Sequence, residues 1–141
     1  MKKFLMIAFT VFIISQQEVF SQISAGIYQQ NAGTYMVVGS DPDEKMFGEG
    51  RLGAGNYIDV EGTFGYNFIQ RDEVNFYSGV HLGVFDVSDG SQVYFGVPLG
   101  LLVKPFSASR NFGFVLEASP LIIPDSSNYL RAGIGMRYTF R

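Results

Sequence analysis

Four groups of residues in this chain have types and spacings that could do chemistry. Gly48-Glu49-Gly50-Arg51-Leu52-Gly53 fits G-x-G-x-x-G, the loop that lays backbone N–H groups against a pyrophosphate. That use requires a strand before the loop and a helix after it. Here another strand pattern follows, so the glycines read as packing. Asp41-Pro42-Asp43-Glu44-Lys45-Met46 opens like a calcium loop, but Lys45 stands at a ligand position and Met46 where the loop needs glycine, so the stretch reads as a solvated turn. His81 is the single histidine. A serine–histidine pair would suit a lipid-modifying enzyme, yet Ser78, three residues earlier, points to the opposite side of an extended strand. His81 therefore reads as an interior histidine paired with a carboxylate. Asp86, Asp89 and Asp125 gather at one expected end of the molecule and could hold a divalent ion, but they fit ordinary turn positions better. With one His and no Cys, the usual zinc ligands are lacking. No cofactor or metal is expected.

The elements that must position these residues are strands. The chain has 141 residues, enough for one domain. Residues 1–21 have the layout of a cleaved export signal: Lys2 and Lys3, an apolar run from Phe4 to Ile14, then a polar tail ending Val19-Phe20-Ser21. The run of about 11 residues is too short to cross a bilayer as a helix. Cleavage before Gln22 leaves residues 22–141 as the mature domain, with a formal charge near −4 instead of −3. That mild acidity argues against a nucleic-acid partner, and without cysteine no disulfide staples the fold. The composition holds 17 Gly, 14 Phe and 8 Tyr, and no Trp.

Eight strands are expected, bounded by polar or Gly/Pro punctuation: Ile23 to Gln29, Gly33 to Gly39, Met46 to Ala54, Tyr57 to Ile69, Val74 to Val87, Gln92 to Pro105, Phe112 to Ile123, and the C-terminal strand from Leu130. The first two could also be one bent strand. The later strands are long, and a tilted strand needs roughly 9–11 residues to cross a bilayer. Charge sorts onto one face of these strands. Glu49, Arg51, Asp59, Glu61, His81, Lys104, Glu117, Arg131 and Arg137 oppose rows of Val, Leu, Ile and Phe. Only Asp86 breaks the rule, at a strand end. Gly79, Gly83, Gly96, Gly100, Gly113, Gly133 and Gly135 share the charged face. Glycine weakens a solvated strand without gain but makes room in a narrow lumen. Four cations (Arg51, Lys104, Arg131, Arg137) match four anions (Glu49, Asp59, Glu61, Glu117), as a buried ionic lumen requires. Pro98 lies mid-strand, where a bulge or inward kink is expected.

With both termini on the inner side, aromatics gather into two belts of the kind seen at membrane interfaces. The inner belt holds Tyr66, Phe68, Phe76, Phe112, Phe114, Tyr138 and Phe140; the outer holds Tyr57, Tyr94, Phe95 and Tyr129. The fold class expected is a closed antiparallel up-and-down transmembrane β-barrel, all-β. The polarity alternative is a soluble exported lipocalin-like barrel with its charges outward and an apolar ligand inside.

The Gly-apolar strands "FYSGVHLGVF" and "VYFGVPLGLLV", the export signal and the terminal "AGIGMRYTF" resemble the small outer-membrane β-barrel proteins of Gram-negative bacteria, the OmpX/OmpA-like kind, and more narrowly the short barrels of Bacteroidetes. The resemblance covers residues 22–141. It implies an outer-membrane location, lipid as the surrounding partner, and a structural or interaction role without enzymatic activity. It further implies that Tyr138 and Phe140 carry the signal read by the barrel-assembly machinery, here followed by Arg141. A monomer is expected.

Overall fold

Strict two-residue alternation sets the architecture. The computed structural model describes residues 22–55, 58–87 and 90–141. The expected export signal and Tyr57 lie outside the described residues. Nine strands follow one another: β1 (Ile23–Gln30), β2 (Gly33–Ser40), β3 (Met46–Ala54), β4 (Ile58–Gln70), β5 (Val74–Val87), β6 (Gly90–Gly96), β7 (Leu99–Val103), β8 (Phe112–Ile122) and β9 (Tyr129–Phe140). β6 and β7 are two halves of one stave, since both pair with β5 and with β8. Each strand pairs antiparallel with its chain neighbours, and β9 closes on β1 from Ile23 against Phe140 to Gln30 against Gly133. The result is a closed antiparallel barrel of eight staves with no free sheet edge. β1 and β2 are separate strands, and the boundaries read from the sequence hold within a residue or two.

Pro98 makes no bulge. His81 faces Gly96 and Ser78 faces Leu99, so equal numbers of residues intervene on the two strands. Pro98 is buried and falls opposite Gly79 in that register. It cannot donate to the ladder, which is why the stave divides there while its register carries on. Val97 keeps its own bond, N–H to the carbonyl of Pro120 at 3.2 Å. The true irregularity lies at Phe68. Asn67 faces Tyr77 but Ile69 faces Phe76, leaving Phe68 as the extra residue.

Outward-facing residues are almost all apolar: Met36, Ile58, Leu82 and Ile134 are each more than 60% exposed. Among the described residues of the strands, Asp86 is the one charged group outside. Inward-facing residues are polar, charged or ring-bearing. A lipocalin-like binder needs the opposite polarity, and the structure excludes it.

Rings fit the lumen by a rule of opposition. Tyr28 faces Gly135 across the β1–β9 ladder, Tyr35 faces Gly53, Phe47 faces Gly65, Tyr77 faces Gly100 and Tyr94 faces Gly83. A Cβ added at any of these glycines would lie inside van der Waals contact of the ring opposite. An eight-stranded interior is just wide enough for side chains, so each large ring lies flat over a residue that has none. Gly62 differs: it points outward, and an added Cβ would find nothing nearer than the Leu82 carbonyl oxygen at 3.9 Å. Gly100→Ala is therefore expected to destabilise the barrel by about 1–3 kcal/mol through overpacking, and Gly62→Ala to stay within about 0.5 kcal/mol. Urea unfolding in lipid vesicles, followed by gel mobility, measures both; equal losses would refute the rule.

Candidate functional site

The inward charges form one connected network along the lumen. Its centre is Arg51 on β3 and Glu117 on β8, two residues brought together across the barrel. Arg51 Nη1 and Nη2 donate to the two carboxylate oxygens of Glu117, both at 2.7 Å. Its Nε donates to Glu49 at 2.7 Å, and its guanidinium lies 4.8 Å over the Tyr28 ring. Tyr77 donates its hydroxyl to Glu117 at 2.5 Å. Bidentate, charge-assisted bonds of this kind are the strong ones. On one side of this pair Arg137 takes the second oxygen of Glu49, the Ser24 hydroxyl at 2.5 Å and the Ser40 carbonyl at 3.1 Å.

On the other side Arg131 donates to Glu61 at 2.5 Å. His81 joins the two levels: Nδ1 lies 2.7 Å from Thr63 Oγ1 and 3.1 Å from Glu61, and Nε2 lies 3.0 Å from Ser119 Oγ and 3.4 Å from Glu117. Asp59 ends the network. It accepts from the Tyr35 hydroxyl at 2.8 Å and shares the Tyr94 hydroxyl, 2.7 Å away, with Glu61 at 2.6 Å, while Arg131 pairs with it at 3.8 Å.

Lys104 stands apart from the other eight charged residues read into the lumen. It lies just past β7, at the end where the termini meet, and its ammonium binds Asp43 at 2.5 Å and the Arg71 carbonyl at 2.8 Å. The four-against-four balance expected from the sequence therefore becomes three guanidiniums against four carboxylates in the lumen, with Lys104 serving a separate cluster. That cluster plugs the terminal end. Asn67 donates to the carbonyls of Pro42 and Glu44, Gln70 to the carbonyl of Asp43, and Asn75 to the Asp43 carboxylate. Arg110 and Arg141 close over Asp43 and Asp41. The space remaining beneath is about 10 Å³. Burial alone would raise the pKa of Asp43, but the hydrogen bonds from Lys104 and Asn75 and the nearby charges of Lys104 and Arg110 outweigh it and hold the carboxyl below its usual 3.8.

The aromatic belts are unequal. At the terminal end Tyr66, Phe68, Phe114, Tyr138 and Phe140 point outward and Phe76 and Phe112 are half-buried beside them. They touch in pairs, Tyr66–Phe68, Phe68–Phe76, Phe112–Phe114 and Tyr138–Phe140, with centroids 5.0–5.9 Å apart. At the opposite end only Phe95, among the described members of the expected belt, points outward. Tyr94 is 1% exposed and lies in the lumen. Tyr129 shares the inward register of Arg131 and lines the open mouth. Both belong to the interior because adjacent residues on a strand take opposite faces.

Ser78 faces away from His81, as strand alternation requires, and His81 lies beside the carboxylates of Glu61 and Glu117; a different serine also reaches it. That serine is Ser119, on β8. Ser119, His81 and Glu61 stand in the order of a nucleophile, base and acid, but Ser119 is 0% exposed and also donates to Glu117 at 3.4 Å. A carbonyl substrate has no room to approach. Among the described residues no three His, Asp or Glu side chains converge as metal ligands. Asp43, Asn75, Ser24, Thr63 and Ser119, together with the ring-bearing residues Tyr28, Tyr35 and Tyr77, are functional positions that the charge pattern alone did not single out.

No protein-family model matches the chain, and no curated protein matches it in sequence. Among solved structures it is similar to neisserial surface protein A, with a TM-score of 0.54 and 12% identity over 84% of this chain and 95% of that one. It is similar to the N-terminal β-barrel domain of Pseudomonas aeruginosa OprF at a TM-score of 0.54 and 15% identity, over 84% and 96% of the two chains. At these identities the likeness is one of fold: the small eight-stranded barrel of the outer-membrane kind.

Two expectations follow from the network. Glu117→Leu leaves Arg51 short of its main partner and is expected to cost about 3–5 kcal/mol. Combining it with Arg51→Met removes one charge of each sign, and the pair should regain more than half of that loss in urea unfolding. The plug predicts an acid limit. The pKa of Asp43 is lower folded than unfolded, so its contribution is present above about pH 3.8 and is lost as pH falls through the lower folded value. Asp43→Asn should weaken the barrel at neutral pH by about 1–3 kcal/mol and flatten the acid limb of its stability profile.

Proposed function

We propose that this protein is an integral outer-membrane barrel with a structural or interaction role, carrying neither a solute pore nor an enzyme centre. The observation that carries this reading is polarity: an apolar exterior, interrupted among the described strand residues by the single charge of Asp86 at a strand end, around a lumen that buries its charges. Such a surface is stable only against hydrocarbon, and a closed barrel satisfies every backbone bond within it. The unequal belts support an orientation in which the aromatic-rich terminal end sits at the inner interface. The fold shared with neisserial surface protein A and the OprF barrel domain supports the same location. The export signal read in residues 1–21 and the terminal Tyr138 and Phe140, as the assembly-machinery signal, complete this reading. The narrower kinship with Bacteroidetes barrels rests on the export signal, the Gly-apolar strands and the terminal "AGIGMRYTF".

The plug at the terminal end and the Arg51–Glu117 crossing argue against conduction. The burial of Ser119 argues against lipid modification through His81. We further infer a monomer, since closure leaves no strand edge to pair.

Two measurements test the reading. In purified outer membranes the protein should resist carbonate extraction and run faster on a gel unboiled than boiled. Leu82→Lys, on an outward residue that is 64% exposed, should cost about 2–4 kcal/mol if that face meets lipid. On a water-facing surface the same change would cost less than about 0.5 kcal/mol. Solubility in the exported fraction together with a neutral Leu82→Lys would end the proposal.

A further inference from the structure

The two ends of the lumen differ. The terminal end is packed shut around Asp43, and the opposite end opens as a cup of about 320 Å³. That is at the lower limit of small-ligand sites. The cup is walled by Tyr35, Phe85 and Tyr129, and Asp59 lies in its lining. Tyr94 stacks beside Phe85, with centroids 5.6 Å apart, and reaches Asp59 from below.

The charge count at this cup does not close. Arg131 gives its short bond to Glu61 and stays 3.8 Å from Asp59. Glu49 and Glu117 are taken by Arg137 and Arg51. Arg131 thus serves two carboxylates, and Asp59, at the longer distance, is the most weakly compensated of the four. It accepts from the Tyr35 hydroxyl and shares the single Tyr94 proton with Glu61, which leaves part of its accepting capacity unused. His81, the remaining titratable group of the lumen, touches Glu61 and Glu117 and not Asp59. Among the described residues of the mouth, Asp86 and Asp125 add negative charge, and no lysine or arginine other than the buried Arg131 offsets it.

A weakly compensated carboxylate ringed by aromatic faces is the chemistry that recognises an organic cation: the charge meets the carboxylate and the methylene or methyl groups meet the rings. One cation already uses these rings, since the Arg131 guanidinium lies 5.1 Å from the Tyr35 centroid and 5.7 Å from that of Tyr94. A metal ion is a poorer fit, because a single carboxylate among rings lacks the oxygen ligands that a hard cation needs. We propose that the mouth cup is a binding site for an organic ammonium group, with Asp59 as counter-ion and Tyr129, Phe85 and Tyr35 as walls. The site depends on the cup's own geometry and stands whichever side of the membrane it faces.

The test uses the full barrel in a maltoside detergent, which has no ammonium group of its own. Choline and n-butylammonium are titrated at constant ionic strength while the tyrosine ring signals are followed by NMR. The neutral carbon isostere of choline, 3,3-dimethylbutan-1-ol, serves as control. Saturable shifts with choline or butylammonium and weak response to the isostere are expected; which of the two binds tighter tells a quaternary headgroup from a primary amine. Asp59→Asn should weaken binding at least about tenfold and Tyr129→Ala about three- to tenfold. Gel mobility confirms that each variant is folded. If Asp59→Asn does not fold, Tyr129→Ala, on the exposed rim, decides alone. Absence of saturable shifts, equal binding of the isostere, or unchanged affinity in the folded variants would overturn the proposal. None of these results bears on membrane integration, which the gel and extraction measurements judge separately.

Discussion

Lumen width is the constraint from which the rest of this structure follows. Eight staves enclose space for roughly one layer of side chains, and this chain places tyrosines, arginines and a phenylalanine in it. The solution is to give the five large rings of the packed lumen, Tyr28, Tyr35, Phe47, Tyr77 and Tyr94, a glycine directly across the ladder; Phe85 and Tyr129, at the open mouth, have none. That opposition frees the centre for the Arg51–Glu117 pair, which needs two long side chains to meet from opposite walls. The ionic network is thus a consequence of the packing: with a methyl group at Gly100, Tyr77 would be pushed off the wall, and its hydroxyl could not reach Glu117.

Burying this much charge is tolerable only because nearly every charged atom has a partner. Desolvation of an ion pair commonly offsets its attraction, so such a network contributes more to a unique register than to raw stability. Register is what a barrel with a uniformly apolar exterior lacks on its outside. Outward Val, Leu and Ile would pack against hydrocarbon equally well after a two-residue slip. Inside, such a slip between β2 and β3 would set Tyr35 against Arg51, or Arg51 against Gly39, and one between β5 and β6 would set Tyr94 against His81. The interior polar pattern therefore fixes the alignment that the exterior leaves open.

Much of this was legible in the sequence because strand alternation has a period of two and no ambiguity about faces once a strand is assigned. The inward positions of Glu49, Arg51, Asp59, Glu61, His81, Glu117, Arg131 and Arg137 follow from parity alone. Failures came where a three-dimensional register decides. Tyr94 and Phe95 are neighbours and must face opposite ways, but which one turns inward depends on Gly83 across the ladder. Tyr129 looks like an interface aromatic from its place at a strand end, yet it shares the parity of Arg131. Lys104 was grouped with the lumen because it extends a strand pattern; its partner, Asp43, lies in a loop whose fold over the barrel end leaves no periodic trace. Pro98 suggested a bulge, but a missing donor need not shift a register when strands on both sides hold it. The bulge at Phe68 had no signal, since no glycine or proline marks it.

The asymmetry between the two ends has a physical origin in the loops. The terminal end has connections, residues 41–45 and 104–111, that carry charge of both signs, Asp41, Asp43 and Arg110, joined there by Arg141. Those charges can fold inward and satisfy one another, so that end closes. At the opposite end the connection between β1 and β2 is two residues long, too short to reach across the opening. The six-residue connection 123–128 brings only Asp125 as a charged group, so Asp59 is left at the edge of its own network with its partners below it. The described loops of the mouth thus bring acid and no base, which leaves Asp59 the most weakly compensated carboxylate of the lumen.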